Sequence, residues 1–399
     1  MKTVGIIAEY NPFHNGHQYQ LKQARRLTGA DYCIVVMSGN FVQRGEPAIF
    51  DKYARTKAAL SCGADLVIEL PVCYATSSAE GFACGAVALL DHLGCDYLCF
   101  GSECGSVEDL TAAAAVLAEE PPLYQTYLQE ALRKGTAYPA AVCEALSRFE
   151  ARELSDLTTF LKSPNNLLGI EYIKALIRRK SSMQPVTVTR IGQGYHDAAA
   201  TEFFSSATAI RNGIRDGADN QSLSQWIPAN ALGFCHTEHA LWADDFSSIF
   251  NYKRLYTDDL QAYAGISEDF ANRLSSYALK PMEFTALVQE LKTRQLTYGH
   301  VSRGLLHLLL DIRKTDMELG AACGNAPYLR ILGVRKDSTS LLRQIKAHTD
   351  LPLINKVADA APDRLLELDI QAAHLYRSLL YHKTGYLLPD EYRAGVCIL

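Results

Sequence analysis

The feature near the N-terminus that most constrains the fold is a short apolar run followed by a proline turn and a helix start. Residues 4–8 are wholly apolar, which predicts a buried strand of a parallel sheet. Asn11-Pro12 ends this strand, and residues 14–17 are predicted to open a helix. Because free N–H groups and the dipole at a helix N-terminus favour anions, this turn is a candidate phosphate site.

Two histidines three residues apart lie in the first turn of this predicted helix. His14 and His17 share one face, from which they can donate to phosphate oxygens and stabilise charge that develops during nucleotidyl transfer. Gly16 would let a ligand approach the backbone closely. The alternative is a helix cap with two incidental surface histidines, but the position between a strand and a helix favours the functional interpretation.

Predicted strands and helices alternate along the N-terminal half, with short loops between them. Further strands are predicted at residues 31–37, 66–70, 97–100 and 186–191. Helices are predicted at residues 50–61 and 79–93 and in four segments between residues 107 and 177. This alternation is typical of a Rossmann-like, doubly wound parallel α/β sheet, in which ligands bind at the carboxyl ends of the strands.

The chain is too long for one ordinary domain. Its 399 residues, 48% of them hydrophobic, can build two or three cores. We predict an α/β catalytic domain over residues 1–215 and a mostly α-helical region over residues 216–399. The formal charge of −5 excludes a globally basic nucleic-acid binder, although a local basic face stays open.

The sequence also bears on the compartment of the protein. No secretory signal and no run near the roughly 20 apolar residues of a membrane span is recognisable, so no membrane partner is expected. The eleven cysteines fit reduced thiols in the cytoplasm. Cys95, Cys99 and Cys104 include no Cys-x-x-Cys pair, so no bound metal is predicted.

A serine-rich stretch is the second candidate for a phosphate site. Residues 205–211 (Ser-Ser-Ala-Thr-Ala-Ile-Arg) are predicted to begin a short helix with a serine cap. Ser206 and Thr208 offer hydroxyl groups, and Arg211 can clamp phosphate oxygens with two hydrogen bonds. The alternative is a plain capped helix.

These motifs resemble signatures of known enzymes. Residues 14–17 resemble the His-x-Gly-His signature of the nucleotidylyltransferase superfamily, and residues 205–211 resemble its Ile-Ser-Ser-Thr-x-x-Arg signature, with departures at Phe204 and Ala207. Together with residues 38–55, 63–65, 69–71 and 163–172, they look like the tRNA(Met) cytidine acetate ligase family. The resemblance is strong from residue 4 to residue 211 and fainter at residues 300–303 and 328–333.

The resemblance implies an ATP-dependent ligase that acetylates the wobble cytidine of elongator tRNA(Met). Acetate would attack the α-phosphate of ATP to give acetyl-adenylate and pyrophosphate. The cytidine amino group would then attack the acetyl carbon and give N4-acetylcytidine. Mg²⁺ is expected with ATP. The sequence leaves the oligomeric state, the metal requirement, the tRNA contact surface and the mode of acetate binding open.

Site residues follow from the resemblance and from the residue types. The predicted catalytic residues are His14, His17, Lys52 and Arg211. The predicted ATP-binding residues are Ile7, Ala8, Glu9, Tyr10, Asn11, Pro12, Phe13, His14, Asn15, Gly16, His17, Gln18, Tyr19, Gln20, Gly101, Asn165, Arg190, Ser206 and Thr208. The choice between Asn165 and Asn166 stays open.

Two basic pairs complete the predicted site residues. Lys52 and Arg55 lie three apart on one helix face, where they can neutralise acetate or pyrophosphate, although a solvated face is the alternative. Asp51 is predicted to be a helix cap. Arg335 and Lys336 are candidate contacts to tRNA phosphates, because the C-terminal half would serve as the RNA platform.

Two other functions stay open at this point. An adenylyltransferase of cofactor biosynthesis, acting on a small phosphorylated substrate, would share the His-x-Gly-His chemistry, but such enzymes are usually much shorter. A non-enzymatic nucleotide-binding module is the other, and intact His14, His17 and Arg211 speak against it. Pyrophosphate release that depends on acetate, rather than on a mononucleotide, would separate the three.

Overall fold

The computed structural model of the protein describes residues 1–136, 138–150, 154–190, 205–277 and 279–399. The strands are β1 (Thr3–Ala8), β2 (Tyr32–Ser38), β3 (Phe41–Val42), β4 (Glu46–Pro47), β5 (Leu66–Leu70), β6 (Tyr97–Ser102), β7 (Gln184–Thr189), β8 (Leu329–Val334), β9 (Leu353–Ile354) and β10 (Cys397–Ile398).

Helices cover most of the remaining described chain. The α-helices are α1 (Asn15–Thr28), α2 (Lys52–Ser61), α3 (Val72–Ala75), α4 (Ala79–His92), α5 (Val107–Glu119), α6 (Pro122–Arg133), α7 (Tyr138–Glu150), α8 (Leu154–Lys162), α9 (Pro164–Arg179), α10 (Ala207–Arg215), α11 (Asn220–Leu223), α12 (Ala229–Leu232), α13 (Ser247–Leu255), α14 (Glu268–Ser275), α15 (Phe284–Leu291), α16 (Tyr298–Leu310), α17 (Lys314–Ala322), α18 (Thr339–His348) and α19 (Arg364–Thr384). Short 3₁₀ helices occur at Thr237–His239, Ala243–Phe246, Leu260–Ala262, Lys336–Ser338 and Val357–Asp359. In the described part of the chain, no helix combines the length and apolarity needed to cross a bilayer.

A mixed sheet of eight strands forms the centre of the protein. Its order is β10-β8-β5-β2-β1-β6-β7, with β9 paired to β8. β1, β2, β5, β6 and β7 pair in parallel, which confirms the predicted doubly wound α/β architecture. β5 is buried along its whole length and β1 and β2 nearly so, which explains their continuous apolar sequences.

The C-terminal half contributes to this sheet. β8 runs antiparallel to β5, and β10 pairs with β8 at the sheet edge. One large apolar core joins residues of the first strands, such as Ile7, to residues of α16, such as Leu305. The C-terminal region is mostly helical, as predicted, but a division at residue 215 cuts through one continuous core.

Some predicted boundaries differ from the structure for local reasons. The last parallel strand begins at Gln184 rather than residue 186, because Gln184 pairs with Tyr97. The second helix begins at Lys52 because Asp51 caps it, as predicted, by accepting hydrogen bonds from two backbone N–H groups. Ile191 and Phe204 lie outside the described residues.

Five helices, rather than the predicted four, lie between residues 107 and 179. The additional helix is α8, in which polar residues interrupt the few apolar residues, so the sequence shows no clear helical periodicity. Leu157 on that face is buried against α6 and α7 in a small separate core. Tertiary packing therefore stabilises a helix that is too short to be stable alone.

Candidate active site

A cleft of about 490 Å³ opens at the carboxyl ends of β1 and β6. The strand order reverses direction between these two strands, which is where doubly wound sheets bind ligands. The predicted residues that line this cleft are Ile7, Ala8, Glu9, Tyr10, Asn11, His14, His17, Gln20, Gly101, Asn165, Arg190, Ser206, Thr208 and Arg211. The fold therefore gathers both signature motifs, about 190 residues apart in sequence, into one site.

His14 and His17 cap α1 with their own rings. Nδ1 of His14 accepts from the Gly16 N–H at 3.0 Å, and Nδ1 of His17 accepts from the His14 N–H at 3.3 Å. A nitrogen that accepts a hydrogen bond carries no proton, so each neutral ring carries its proton on Nε2. The rings stack with centroids 3.7 Å apart, and both line the cleft.

Both histidines are neutral at physiological pH. Burial, supported by the positive charges of Arg190 and Arg211, lowers the pKa of His14 to about 3. Burial also holds the pKa of His17 well below its usual value, with smaller effects from His14 and Arg190. The pair therefore supplies hydrogen-bond donors to a ligand rather than positive charge.

The first turn of α1 is not the open anion site that its sequence predicts. The N–H group of Asn15 donates to the Trp226 carbonyl at 2.8 Å, and the N–H groups of the next three residues donate to His14. A Cβ atom at Gly16 would lie 2.9 Å from Cε1 of His14. Gly16 therefore makes room for the histidine ring, and it does not line the cleft.

α10 offers the open helix N-terminus instead. The Ser206 hydroxyl accepts from the Ala209 N–H at 3.1 Å and caps the helix, as predicted. Within the described residues, the N–H groups of Ala207 and Thr208 have no acceptor, and both residues line the cleft. These two donors, together with the positive end of the helix dipole, favour a phosphate at this position.

Arg211 stands beside this helix start and is itself buried. Its guanidinium donates to the Asn11 carbonyl at 2.8 Å and to the Thr208 hydroxyl at 3.1 Å. These contacts hold the guanidinium against the cleft wall next to the two histidines. The structure thus places a fixed positive charge, two neutral imidazole donors and a helix N-terminus around one part of the cleft.

The part of the cleft around Gly101 has the character of a nucleoside site. Gly101 lines it. The nearest protein atom to a Cβ atom at Gly101 would be in the Arg190 side chain, 3.5 Å away, so the surrounding protein leaves space at this position. Arg190 donates to the Asn165 side-chain oxygen at 3.2 Å. Phe100 and Tyr172 add aromatic surface to the lining.

The two neighbouring asparagines have different roles. Asn165 lines the cleft, and its amide donates to Glu103 at 2.6 Å. Asn166 is buried, where its oxygen accepts the N–H groups of Glu103 and Cys104 and its amide donates to the Phe160 carbonyl. Asn166 therefore fixes the loop after β6, and Asn165 is the asparagine that can meet a ligand.

Six predicted ATP contacts do not line the cleft: Pro12, Phe13, Asn15, Gly16, Gln18 and Tyr19. Phe13 is almost fully buried and packs edge-on against Tyr10 at 4.8 Å. The Asn15 amide donates to the Gln225 carbonyl at 2.9 Å. Phe13 and Asn15 therefore contact the surrounding protein rather than the cleft.

Lys52, which was predicted to be catalytic, does not line the cleft. Lys52 is fully buried outside the cleft, and its ammonium donates to Glu69 at 2.9 Å and to Glu391 at 2.8 Å. Arg55 is also buried and donates to the backbone carbonyls of Glu9 and Ser38. Both cations are committed to structural contacts, so neither faces a substrate.

Several lining residues were not predicted. They are Gln43, Arg44, Phe82, Phe100, Pro164, Leu168, Tyr172 and Ala207. Gln43 and Arg44 belong to the β3–β4 hairpin, which is held against α16 where the Ser302 hydroxyl donates to the Gly45 carbonyl at 3.0 Å. The distinctive sequence from residue 38 to residue 48 was the available signal, but its residues had no assigned role.

Arg335 and Lys336 lie far from the cleft. β8 is antiparallel to β5, so its last residue, Val334, pairs with Leu66 at the start of β5. The Arg335 N–H donates to the Asp65 carbonyl at 2.9 Å, and its side chain pairs with Asp337. The pair thus lies at the amino edge of the parallel strands, whereas an RNA surface beside the cleft requires the carboxyl edge.

Comparison with known proteins identifies the family of this chain. A sequence profile described as HIGH Nucleotidyl Transferase matches residues 1–387. The tRNA(Met) cytidine acetate ligase of Acetivibrio thermocellus is 40% identical, with 94% of each chain covered. The corresponding enzyme of Clostridium kluyveri is 39% identical, with 95% of each chain covered.

A solved structure also resembles this one over its whole length. Thermotoga maritima TmcAL bound with alpha-thio ATP superposes with a TM-score of 0.90, 31% sequence identity and complete coverage of both chains. These matches confirm the resemblance inferred from the sequence motifs. The chain therefore belongs to the tRNA(Met) cytidine acetate ligase family, within the HIGH nucleotidyl transferases.

Proposed function

We propose that this protein activates acetate with ATP and transfers the acetyl group to the wobble cytidine of elongator tRNA(Met) in the cytoplasm. The observation that carries the proposal is the convergence of His14, His17, Arg211 and the α10 N-terminus on one cleft. That arrangement suits nucleotidyl transfer, in which charge develops on phosphate oxygens. The relatives' names supply the acyl donor and the RNA.

The two parts of the cleft suggest how ATP lies in it. The adenosine would occupy the part near Gly101 and Asn165, where space, an amide and aromatic surface are available. The phosphates would then meet the histidines and the start of α10. In the first half-reaction, an acetate oxygen attacks the α-phosphate and pyrophosphate leaves. Donors already fixed before the reaction stabilise that transition state without reorganisation.

Arg44, rather than Lys52, is the cation available to acetate. Arg44 is exposed, lines the cleft and follows Gln43 on the β3–β4 hairpin. A positive charge at this rim would offset the repulsion between the acetate carboxylate and the ATP phosphates. This assignment transfers the predicted neutralising role to a residue that the fold leaves free to meet the substrate.

Mg²⁺ would enter with ATP. Among the described lining residues, Glu9 is the only carboxylate, so the cleft supplies no ready set of oxygen ligands for a resident ion. The described cluster of possible metal ligands, His236, Glu238 and His239, lies outside the cleft. We therefore propose that the ATP phosphates themselves supply most of the ligands.

The test is a reaction with ATP, acetate and tRNA(Met). We expect pyrophosphate release that requires acetate, and mass spectrometry of the tRNA nucleosides should then show N4-acetylcytidine. Pyrophosphate release with a mononucleotide or a phosphorylated pantetheine, and none with acetate, would favour the adenylyltransferase alternative. ATP binding without turnover of either kind would favour a binding module.

Replacing Arg211 by alanine is expected to reduce ATP turnover by about 100-fold, because a hydrogen-bonded charge on phosphate is lost. The dependence on acetate should remain. Initial rates at varied ATP, with circular dichroism as a check on folding, measure this. ATP kinetics like those of the unaltered protein would show that Arg211 only braces the cleft wall.

tRNA binding is expected to depend on the cleft rim rather than on the opposite sheet edge. Charge reversal at Arg44 should weaken tRNA binding more than charge reversal at both Arg335 and Lys336, and the loss should shrink as salt is raised, because salt also weakens the phosphate contacts of the unaltered protein. Filter binding at several salt concentrations gives the comparison. A larger loss in the Arg335/Lys336 variant would restore the surface predicted from the sequence.

A further inference from the structure

We propose that Glu9 is the general base of acetyl transfer, accepting the proton that the cytidine amino group loses. This inference rests on the proposed function and concerns its second half-reaction. Among the described residues that line the cleft, Glu9 is the sole carboxylate. The other described acidic groups near it belong to the surrounding structure rather than to the lining.

The position of Glu9 leaves one carboxylate oxygen for a substrate. Oε1 accepts the Gln43 N–H at 2.9 Å, and the Glu9 main-chain carbonyl accepts from Arg55 at 2.6 Å. No donor to Oε2 occurs among the described residues. The backbone and one oxygen are therefore fixed, while the second oxygen stays available in a residue that is only partly buried.

Electrostatics places this carboxylate at the acyl part of the cleft. A negative group beside the triphosphate would oppose ATP binding. Beside acetate, the charge of Arg44 would offset the repulsion, and once the adenylate has formed the carboxylate meets a neutral acetyl group and a neutral amine. The charged and titratable groups that face it are Arg44, Glu46, Arg55, Tyr172 and Arg211. Burial raises the pKa of Glu9, and the Gln43 N–H, Arg44 and Arg211 oppose that rise.

The chemistry of the acceptor creates the need for a base. The lone pair of the cytosine exocyclic amine is delocalised into the ring, so the neutral amine is a weak nucleophile. As its nitrogen bonds to the acetyl carbon, the bond from that carbon to the phosphate oxygen breaks and AMP leaves with the electron pair. The proton released from nitrogen passes to Glu9, which later returns it to water. General base catalysis of this kind contributes about 100–10,000-fold.

The test separates the two half-reactions in Glu9→Gln. The amide oxygen of glutamine can still accept the Gln43 N–H, so the local fold should persist. We expect acetyl transfer to tRNA(Met) to fall by about 100-fold or more, and by a much larger factor than acetate-dependent exchange of pyrophosphate into ATP. Hydroxylamine attacks acyl groups readily without a base. Its reaction with acetyl-adenylate to give the hydroxamate should therefore be preserved.

The pH profile distinguishes a base from a merely structural carboxylate. Single-turnover acetyl transfer by the unaltered protein should fall as pH drops below the pKa of Glu9, because the protonated acid cannot accept a proton. The residual transfer by Glu9→Gln should lack that limb, and Glu9→Asp should recover part of the rate. Gln289→Glu makes the reverse exchange, of an amide for a carboxylate, on an exposed side chain, and it serves as the matched control.

Three results would overturn this assignment. Equal loss of exchange and transfer would make Glu9 part of the ATP site, and full retention of both would make it dispensable. Loss of hydroxamate formation would show that adenylate formation had failed. If the unaltered protein showed no acetate-dependent exchange, the proposed function itself would fail, and that result is distinct from any effect of Glu9→Gln.

Discussion

Replacing His17 by alanine is expected to reduce acetyl-adenylate formation about 100–1,000-fold, which corresponds to about 2.7–4 kcal/mol of lost transition-state stabilisation. His17 supplies a neutral Nε2–H donor whose direction is fixed by the hydrogen bond to its Nδ1. Acetate-dependent pyrophosphate release measures the effect. The pKa of His17 lies well below its usual value, so the contact that is lost is a hydrogen bond from a neutral ring. Salt screens charges, so adding salt to the unaltered protein should not reproduce the loss.

The matched control for this experiment is His382→Ala. His382 is exposed on α19, so the His382→Ala variant should retain the activity of the unaltered protein. Folding of both variants can be compared by thermal unfolding, since the His17 ring also packs against Tyr10 at 4.7 Å. A folded His17→Ala variant with near-normal pyrophosphate release would contradict the assignment of the cleft as the site of adenylation.

Glu391→Ala is expected to destabilise the protein by about 3–5 kcal/mol, because it removes one partner from a buried charge cluster. In that cluster Glu391 accepts from Lys52 at 2.8 Å and pairs with Arg330, while Glu69 pairs with the same two cations. All four side chains are almost fully buried. The two buried cations would then share one carboxylate.

Denaturant unfolding at neutral pH measures this loss, with Glu318→Ala on the surface of α17 as the control. Burial alone would raise the pKa of Glu391, but Lys52 and Arg330 outweigh it and lower the pKa to about 2. The stabilisation is therefore present above the unfolded pKa of about 4.3 and is lost as pH falls towards 2. The stability of Glu391→Ala should lack this acid dependence. A loss of less than about 1 kcal/mol in the free energy of unfolding would mean that the cluster contributes little.

Local sequence was sufficient for the features that depend on neighbouring residues. The apolar run of β1 predicts a buried parallel strand, because a strand covered on both faces excludes polar side chains. The Asp51 cap follows from one side chain and the backbone N–H groups beside it. The alternation of strands and helices likewise predicts the architecture. The position of His14 and His17 directly after β1 predicts the motif.

Only the tertiary structure decided which side chains line the cleft. Lys52 has the charge and the helix position expected of a catalytic cation. It is buried instead, where it donates to Glu391, which lies 339 residues away in the sequence. The first turn of α1 has the sequence of an anion site, but the Trp226 carbonyl occupies its first N–H group. These outcomes depend on contacts between distant segments, which periodicity and spacing do not encode.

The same limit applies to the position of Arg335 and Lys336. The sequence shows that Arg335 and Lys336 follow a strand, but not the direction in which that strand joins the sheet. Because β8 enters antiparallel to β5, its end lies at the edge opposite the cleft. The sequence by itself determined the α/β order and the two signature motifs, whereas strand direction and long-range pairing decided which charged residues line the cleft and which hold the core together.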